Sequence, residues 1–120
     1  NRAMAVNATA PFRLVRTLDP LLRAAPRGLA VFLTCREATE RPAFYAHFAA
    51  SKAAMEALAG VYAAENARHP IAVTLRDPGP AATKLRRDAF PGEDQAHLPS
   101  ADEAARPILD EIRTAFPAAV

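Results

Sequence analysis

Two short apolar runs, Leu29–Thr34 and Ile71–Leu75, flank one long stretch of helix-forming residues, Tyr45–Ala67. This order restricts the fold more than any other feature of the chain. Leu29-Ala30-Val31-Phe32-Leu33-Thr34 is short, continuous and part β-branched, which predicts a strand buried on both faces. Ile71-Ala72-Val73-Thr74-Leu75 predicts a second strand, stopped by Asp77-Pro78-Gly79-Pro80. A strand, a helix of this length and a strand imply a right-handed parallel crossover. Two parallel strands are not a stable sheet, because both faces and both edges need cover. The expected class is therefore α/β: the middle or end of a doubly wound parallel sheet, in the order helix, strand, helix, strand, helix.

The flanking segments fill in that frame. Ala3–Ala25 reads as a long helix, with Val6, Phe12, Leu14, Val15, Leu18, Leu21 and Leu22 at helical spacing. Pro11 is expected to kink it or mark its true start, and Pro20 to make it irregular. Cys35–Pro42 reads as loop. In Tyr45–Ala67, Phe48, Lys52, Met55, Ala59 and Tyr62 recur at helical intervals, and His69-Pro70 ends the element. Ala81–Phe90 predicts a short helix and Pro91–Ser100 a loop. Ser100 and Glu103 have the spacing of a capping box, opening a last helix that runs to about Phe116 with a bend or break at Pro107.

At 120 residues the chain is one small domain at most. A net charge of +2, with acids and bases interspersed, gives no basic stripe for a nucleic acid. The local excess at Lys84, Arg86 and Arg87 is offset by Asp88, Glu93 and Asp94, so it reads as a solvated face before a phosphate clamp. A lone Cys35 excludes an internal disulfide and fits a reducing, cytoplasmic setting. No apolar run reaches the roughly 20 residues that span a bilayer, so no membrane partner is expected. The chain opens on Asn1 and not on Met, so a longer polypeptide is a standing alternative.

Four segments, taken in order, resemble the C-terminal half of a short-chain dehydrogenase/reductase. Asn7-Ala8-Thr9-Ala10-Pro11-Phe12 resembles that family's asparagine-bearing helix start. Val31–Cys35 resembles the strand that delivers its serine. Tyr45-Ala46-His47-Phe48-Ala49-Ala50-Ser51-Lys52-Ala53-Ala54 resembles its active-site helix with a Tyr-x-x-x-Lys core. Asp77-Pro78-Gly79-Pro80 through Thr83 resembles its Pro-Gly…Thr segment. The resemblance covers nearly the whole chain, least distinctively after Ser100. It implies a partial Rossmann-like doubly wound sheet spanning residues 1–120 as one domain.

The resemblance also implies a chemistry. In the family a tyrosine moves a proton at the substrate oxygen, and a lysine one turn later lowers its pKa and binds the ribose of NAD or NADP. A serine orients the oxygen and an asparagine holds a relay water. By position these are Phe48, Lys52, Cys35 and Asn7, with Pro78, Gly79 and Thr83 added on the cofactor side. Phe48 and Cys35 depart from the pattern. Phenylalanine has no proton to give, and a thiol is a poor substitute for a hydroxyl. Tyr45 lies seven residues before Lys52, about 10 Å along a helix and one turn too far to replace the tyrosine. His47 reads as a surface residue. The family's Gly-rich pyrophosphate turn is not matched: Gly28, Gly60, Gly79 and Gly92 are all far apart.

Three readings follow. The chain is a truncated, catalytically impaired relative of the family (a pseudoenzyme); or the C-terminal half of a longer dehydrogenase-like protein; or a non-catalytic module that self-associates through Ala3–Ala25 and Tyr45–Ala67. Ala53, Ala57 and Gly60 would let helices approach closely in a homo-oligomer.

Overall fold

The computed structural model describes residues 1–116. A three-residue helical turn, α1 (Arg2–Met4), leads into a π turn (Ala5–Thr9) and then α2 (Ala10–Ala24). β1 (Gly28–Leu33) is followed by α3 (Glu37–Glu40), α4 (Ala46–Glu65) and β2 (Ile71–Arg76). The remaining elements are α5 (Lys84–Ala89), a 3-10 turn (Gln95–His97) and α6 (Ala101–Ala115). They form two compact units, one of Asn1–Asp77 and the other beginning at Pro78.

The first unit is a parallel β–α–β layer. β1 and β2 pair in parallel from Gly28↔Ile71 to Leu33↔Arg76, with α4 as the crossover. α4 covers the face that carries Ala30, Phe32 and Val73, packing Met55 and Ala59 on it, and Val15 of α2 joins that cluster. Tyr62, one further turn along α4, is 2% exposed. Its hydroxyl donates to Asp19 Oδ1 at 2.9 Å, which ties α4 to α2. Asp19 also takes two bonds from Arg23 Nε, at 2.9 and 2.8 Å. The opposite face of β1 is not buried as expected: Leu29 and Val31 are half-buried and Leu33 is exposed. Two strands and their crossover helix cover one face only. An apolar groove of about 520 Å³ remains between α2 and β1, with Leu14, Leu18 and Leu22 on one wall and Leu29 and Val31 on the other.

Pro11 has the effect its chemistry demands. It has no N–H to give the Asn7 carbonyl an α-helical bond. The backbone just before it widens into the π turn, where the Ala10 N–H reaches back to the Ala5 carbonyl. Neither Pro20 nor Pro107 breaks its helix; both lie inside continuous ones. The carbonyls they leave unpaired belong to Arg16 and Glu103, whose side chains are exposed, so water can take those bonds. The expected loop at Cys35–Pro42 contains α3, which buries Ala38 at 3% exposure. α3 ends on Arg41 with φ 52, a left-handed stop that usually belongs to glycine.

The second unit is organised locally. Thr83 caps α5, its side chain accepting from the Arg86 N–H at 3.2 Å. Arg86 pairs with Glu93 at 2.7 and 2.8 Å and lies over the Phe90 ring at 3.9 Å. Lys84 bonds Asp88. The basic cluster is thus largely ion-paired, as a solvated face would be. Ser100 and Glu103 form the expected capping box at the start of α6.

Candidate active site

The carboxyl end of β1 meets the first turns of α4, and side chains cross between them. Lys52 Nζ donates to the Leu33 carbonyl at 2.8 Å. One turn later on α4, the Glu56 carboxylate accepts from Thr34 Oγ1. Cys35 follows directly and is half-buried. Burial pushes its thiol pKa up, and the hydrogen bond it donates to the Glu37 carboxylate and that carboxylate's charge push further; the Ala38 backbone N–H and the charge of Lys52 oppose them. The thiol therefore stays protonated near neutrality and is a weak donor, not a nucleophile.

The π turn adds the third wall. Asn7 Nδ2 donates to Ser51 Oγ at 3.0 Å, and the Ser51 hydroxyl donates to the Phe48 carbonyl at 2.8 Å. Ser51 is fully buried, and both bonds are needed because an unpaired hydroxyl at that depth is costly. Asn7 is thereby fastened to the segment that carries Phe48 and Lys52. Phe48 itself sits half-buried on the first turn of α4.

Of the residues predicted from sequence, Asn7, Cys35, Phe48 and Lys52 all belong to this junction. Pro78, Gly79 and Thr83 belong to the second unit, where Gly79 takes φ 73 and Thr83 caps α5. Tyr45 is the half-buried N-cap of α4, outside the helix proper. His47 is exposed and lies 2.8 Å from Asn1 through Nδ1. Phe44, with φ 70, leaves its ring wholly exposed just before α4.

Three residues of the junction escape a reading of the sequence: Ser51, Thr34 and Glu56. Glu56 could have been noticed, since it stands four residues after Lys52 on the same helix face. That Ser51 points inward to Asn7, and that Thr34 reaches α4, are facts of packing between distant segments.

Chemically, the junction offers an ammonium, a half-buried amide bonded to a buried hydroxyl, and a protonated thiol. At Phe48 it offers a hydrocarbon ring. The ammonium stands at the carboxyl end of a parallel strand, where ligands of open α/β sheets bind. Among the described residues no metal-binding cluster of His, Cys, Asp or Glu occurs. No helix among them is long and apolar enough to cross a membrane.

Known proteins resemble this chain in sequence and in fold. The family model described as short chain dehydrogenase matches residues 1–94. The oxidoreductase YciK of Escherichia coli K12 is 36% identical over 95 residues, covering 79% of this chain and 37% of that protein. A short chain dehydrogenase from Shigella flexneri superimposes with a TM-score of 0.81 at 32% identity, covering 88% of this chain and 41% of its own. One from Escherichia coli CFT073, solved in complex with NADPH, gives 0.80 at 32% identity, covering 92% and 44%. The chain thus spans well under half the length of the relatives it matches, and its α/β layer with a parallel sheet is part of their Rossmann-type fold. On the strength of the matched family model and this shared fold, the chain belongs to the short chain dehydrogenase family.

Proposed function

We propose that this chain is the catalytic-helix half of an NAD(P)-dependent oxidoreductase fold in which ordinary carbonyl reduction is disabled. The observation that carries the reading is Phe48. It stands on the first turn of α4, one turn before Lys52, and carries no exchangeable proton. A positioned acid–base group typically contributes about 100- to 10,000-fold to such a step. Cys35 does not compensate, because its raised pKa and poor hydrogen-bonding leave it a weak donor.

Dinucleotide binding is a separate matter. Solved relatives are complexed with NADP and NADPH. On this reading Lys52 would bond the ribose, and a bound nicotinamide would supply or take hydride. The Gly-rich turn that holds a pyrophosphate is not matched by its four glycines. The chain by itself therefore fits the cofactor in part, and tight binding requires residues beyond these.

Partnering is the second reading, and α2 favours it. None of its residues is buried, and Leu14, Leu18 and Leu21 are 58%, 43% and 68% exposed. The Ala3–Ala25 and Tyr45–Ala67 segments also present small exposed residues, Ala57 and Gly60 among them. Self-association through these helices would make the chain a structural module. Two measurements separate the readings. Calorimetry with NADPH and NADH, followed by turnover on a panel of ketones, is expected to show no turnover even where binding is found. Robust ketone reduction by the unaltered protein would overturn the proposal. Light scattering is expected to show a dimer or larger species, and a monodisperse monomer would remove the module reading.

A further inference from the structure

Lys52 and Glu56 are four residues apart on α4, a spacing at which opposite charges on one helix face ordinarily pair. Here the two groups have other partners. Lys52 Nζ donates to the Leu33 carbonyl at 2.8 Å, and Glu56 Oε1 accepts from Thr34 Oγ1. Leu33 and Thr34 are adjacent at the carboxyl end of β1, so the strand end holds the two charges apart. We propose that Thr34 is a positioning residue: by occupying the Glu56 carboxylate it keeps the Lys52 ammonium out of an intrahelical ion pair and turned to the end of β1. The functional value of that arrangement rests on the reading above, in which Lys52 is the ribose-binding group. A carboxylate closed onto the ammonium would compete with a ribose hydroxyl for the same donors.

The geometry explains why the device needs a hydroxyl at residue 34. An aliphatic side chain there would leave the half-buried Glu56 carboxylate without its strand partner. The nearest cation on its own face is Lys52, and an isolated pair at this spacing is favourable by enough to change occupancy about twofold. Lys84 provides an internal reference. It is the other lysine of the chain, and it is already bonded four residues on to Asp88.

The test is competitive acylation of the intact protein by an amine-reactive ester at limiting reagent, read by mass spectrometry as the Lys52 to Lys84 labelling ratio. In Thr34→Val the ratio is expected to fall about twofold, because a paired ammonium yields less free amine. Thr34→Ser should keep the parent ratio. Adding Glu56→Gln to Thr34→Val should restore it, since the amide carries no charge to pair with. A purely structural role for Thr34 predicts the opposite sign, because a loosened strand end exposes Lys52 and raises its labelling. A ratio that rises or is unchanged in Thr34→Val, or that stays low in the double variant, overturns the proposal. NADPH affinity measured on the same variants tests the underlying reading separately. A labelling ratio that shifts as expected with unaltered NADPH affinity keeps Thr34 as the positioning residue and removes Lys52 from the ribose.

Discussion

The two units of the chain are held together by different physics. In Asn1–Asp77 the buried residues Phe32, Met55, Ala59, Tyr62 and Ile71 form a core between a parallel strand pair and α4. Among the described residues from Pro78 on, none is buried. That unit rests on the Thr83 cap, the Ser100–Glu103 capping box and the Arg86–Glu93 pair. The first unit therefore gains stability chiefly from apolar area removed from water, the second from local hydrogen bonds and charge pairs. The site follows the same division. Its positioned side chains, Asn7, Ser51, Lys52 and Glu56, all lie in the unit that has a core to hold them.

This contrast can be broken by substitution, and the largest effect belongs to the core. Met55 is 4% exposed and central to the cluster. Met55→Ala should destabilise the first unit by about 2–5 kcal/mol, the cost of lost transfer plus a cavity. Chemical denaturation checks it, and a loss well under that range would mean the core is not the main support.

Ser51→Ala comes next. It strips the Asn7 amide of its acceptor and should cost about 1–3 kcal/mol, less than a core truncation although the site is fully buried. The distinguishing sign is local: hydrogen exchange should accelerate in the π turn at Ala5–Thr9 more than at the far end of α2.

In the second unit, Ser100→Ala should cost about 1 kcal/mol and fray the first turn of α6. Circular dichroism would register a small loss of helicity. An unchanged spectrum and melting curve would show that the capping box is ornamental.

A pH slope closes the series. The Tyr62 phenol is pushed up to about 12, first by burial and then by Asp19. In an unfolded chain a phenol ionises near 10. Between those values the unfolded state gives up a proton that the folded state keeps, so stability is full below about pH 10 and falls towards pH 12. Tyr62→Phe should cost about 1 kcal/mol at neutral pH and flatten that slope. A slope retained in the variant would trace alkaline loss to other groups.

The same division explains what a reader of the sequence can see. The Ser100 cap, the paired cluster at Lys84–Asp88 and the parallel pairing of the two apolar runs follow from local pattern, and all are present. The Tyr-x-x-x-Lys departure is legible at once as Phe48. Pro107 allowed a bend or a break, and no break occurs, because solvent at an exposed helix face tolerates the missing bond. α3 is hidden because its polar residues look like loop, and only burial of Ala38 gives it a reason to form. Within the site, the Thr34–Glu56 and Asn7–Ser51 contacts join residues 22 and 44 positions apart, which no local pattern encodes.

On the proposed reading the junction of β1 and α4 lacks a proton donor at Phe48, while Asn7 and Lys52 are held in place around it. The most direct test is ketone turnover by Phe48→Tyr, Cys35→Ser and the double variant, in a longer polypeptide that completes the cofactor site and with NADPH binding confirmed for each. In Phe48→Tyr a phenol would stand one turn before the Lys52 ammonium, which favours its ionised form. Turnover should rise by about 100-fold or more over the parent. Cys35→Ser alone should change little, having no proton donor to serve, and the double variant should exceed both singles because the two groups act on one oxygen. A double variant that binds NADPH and still reduces nothing on a broad panel would contradict the claim and place the defect elsewhere in the cleft.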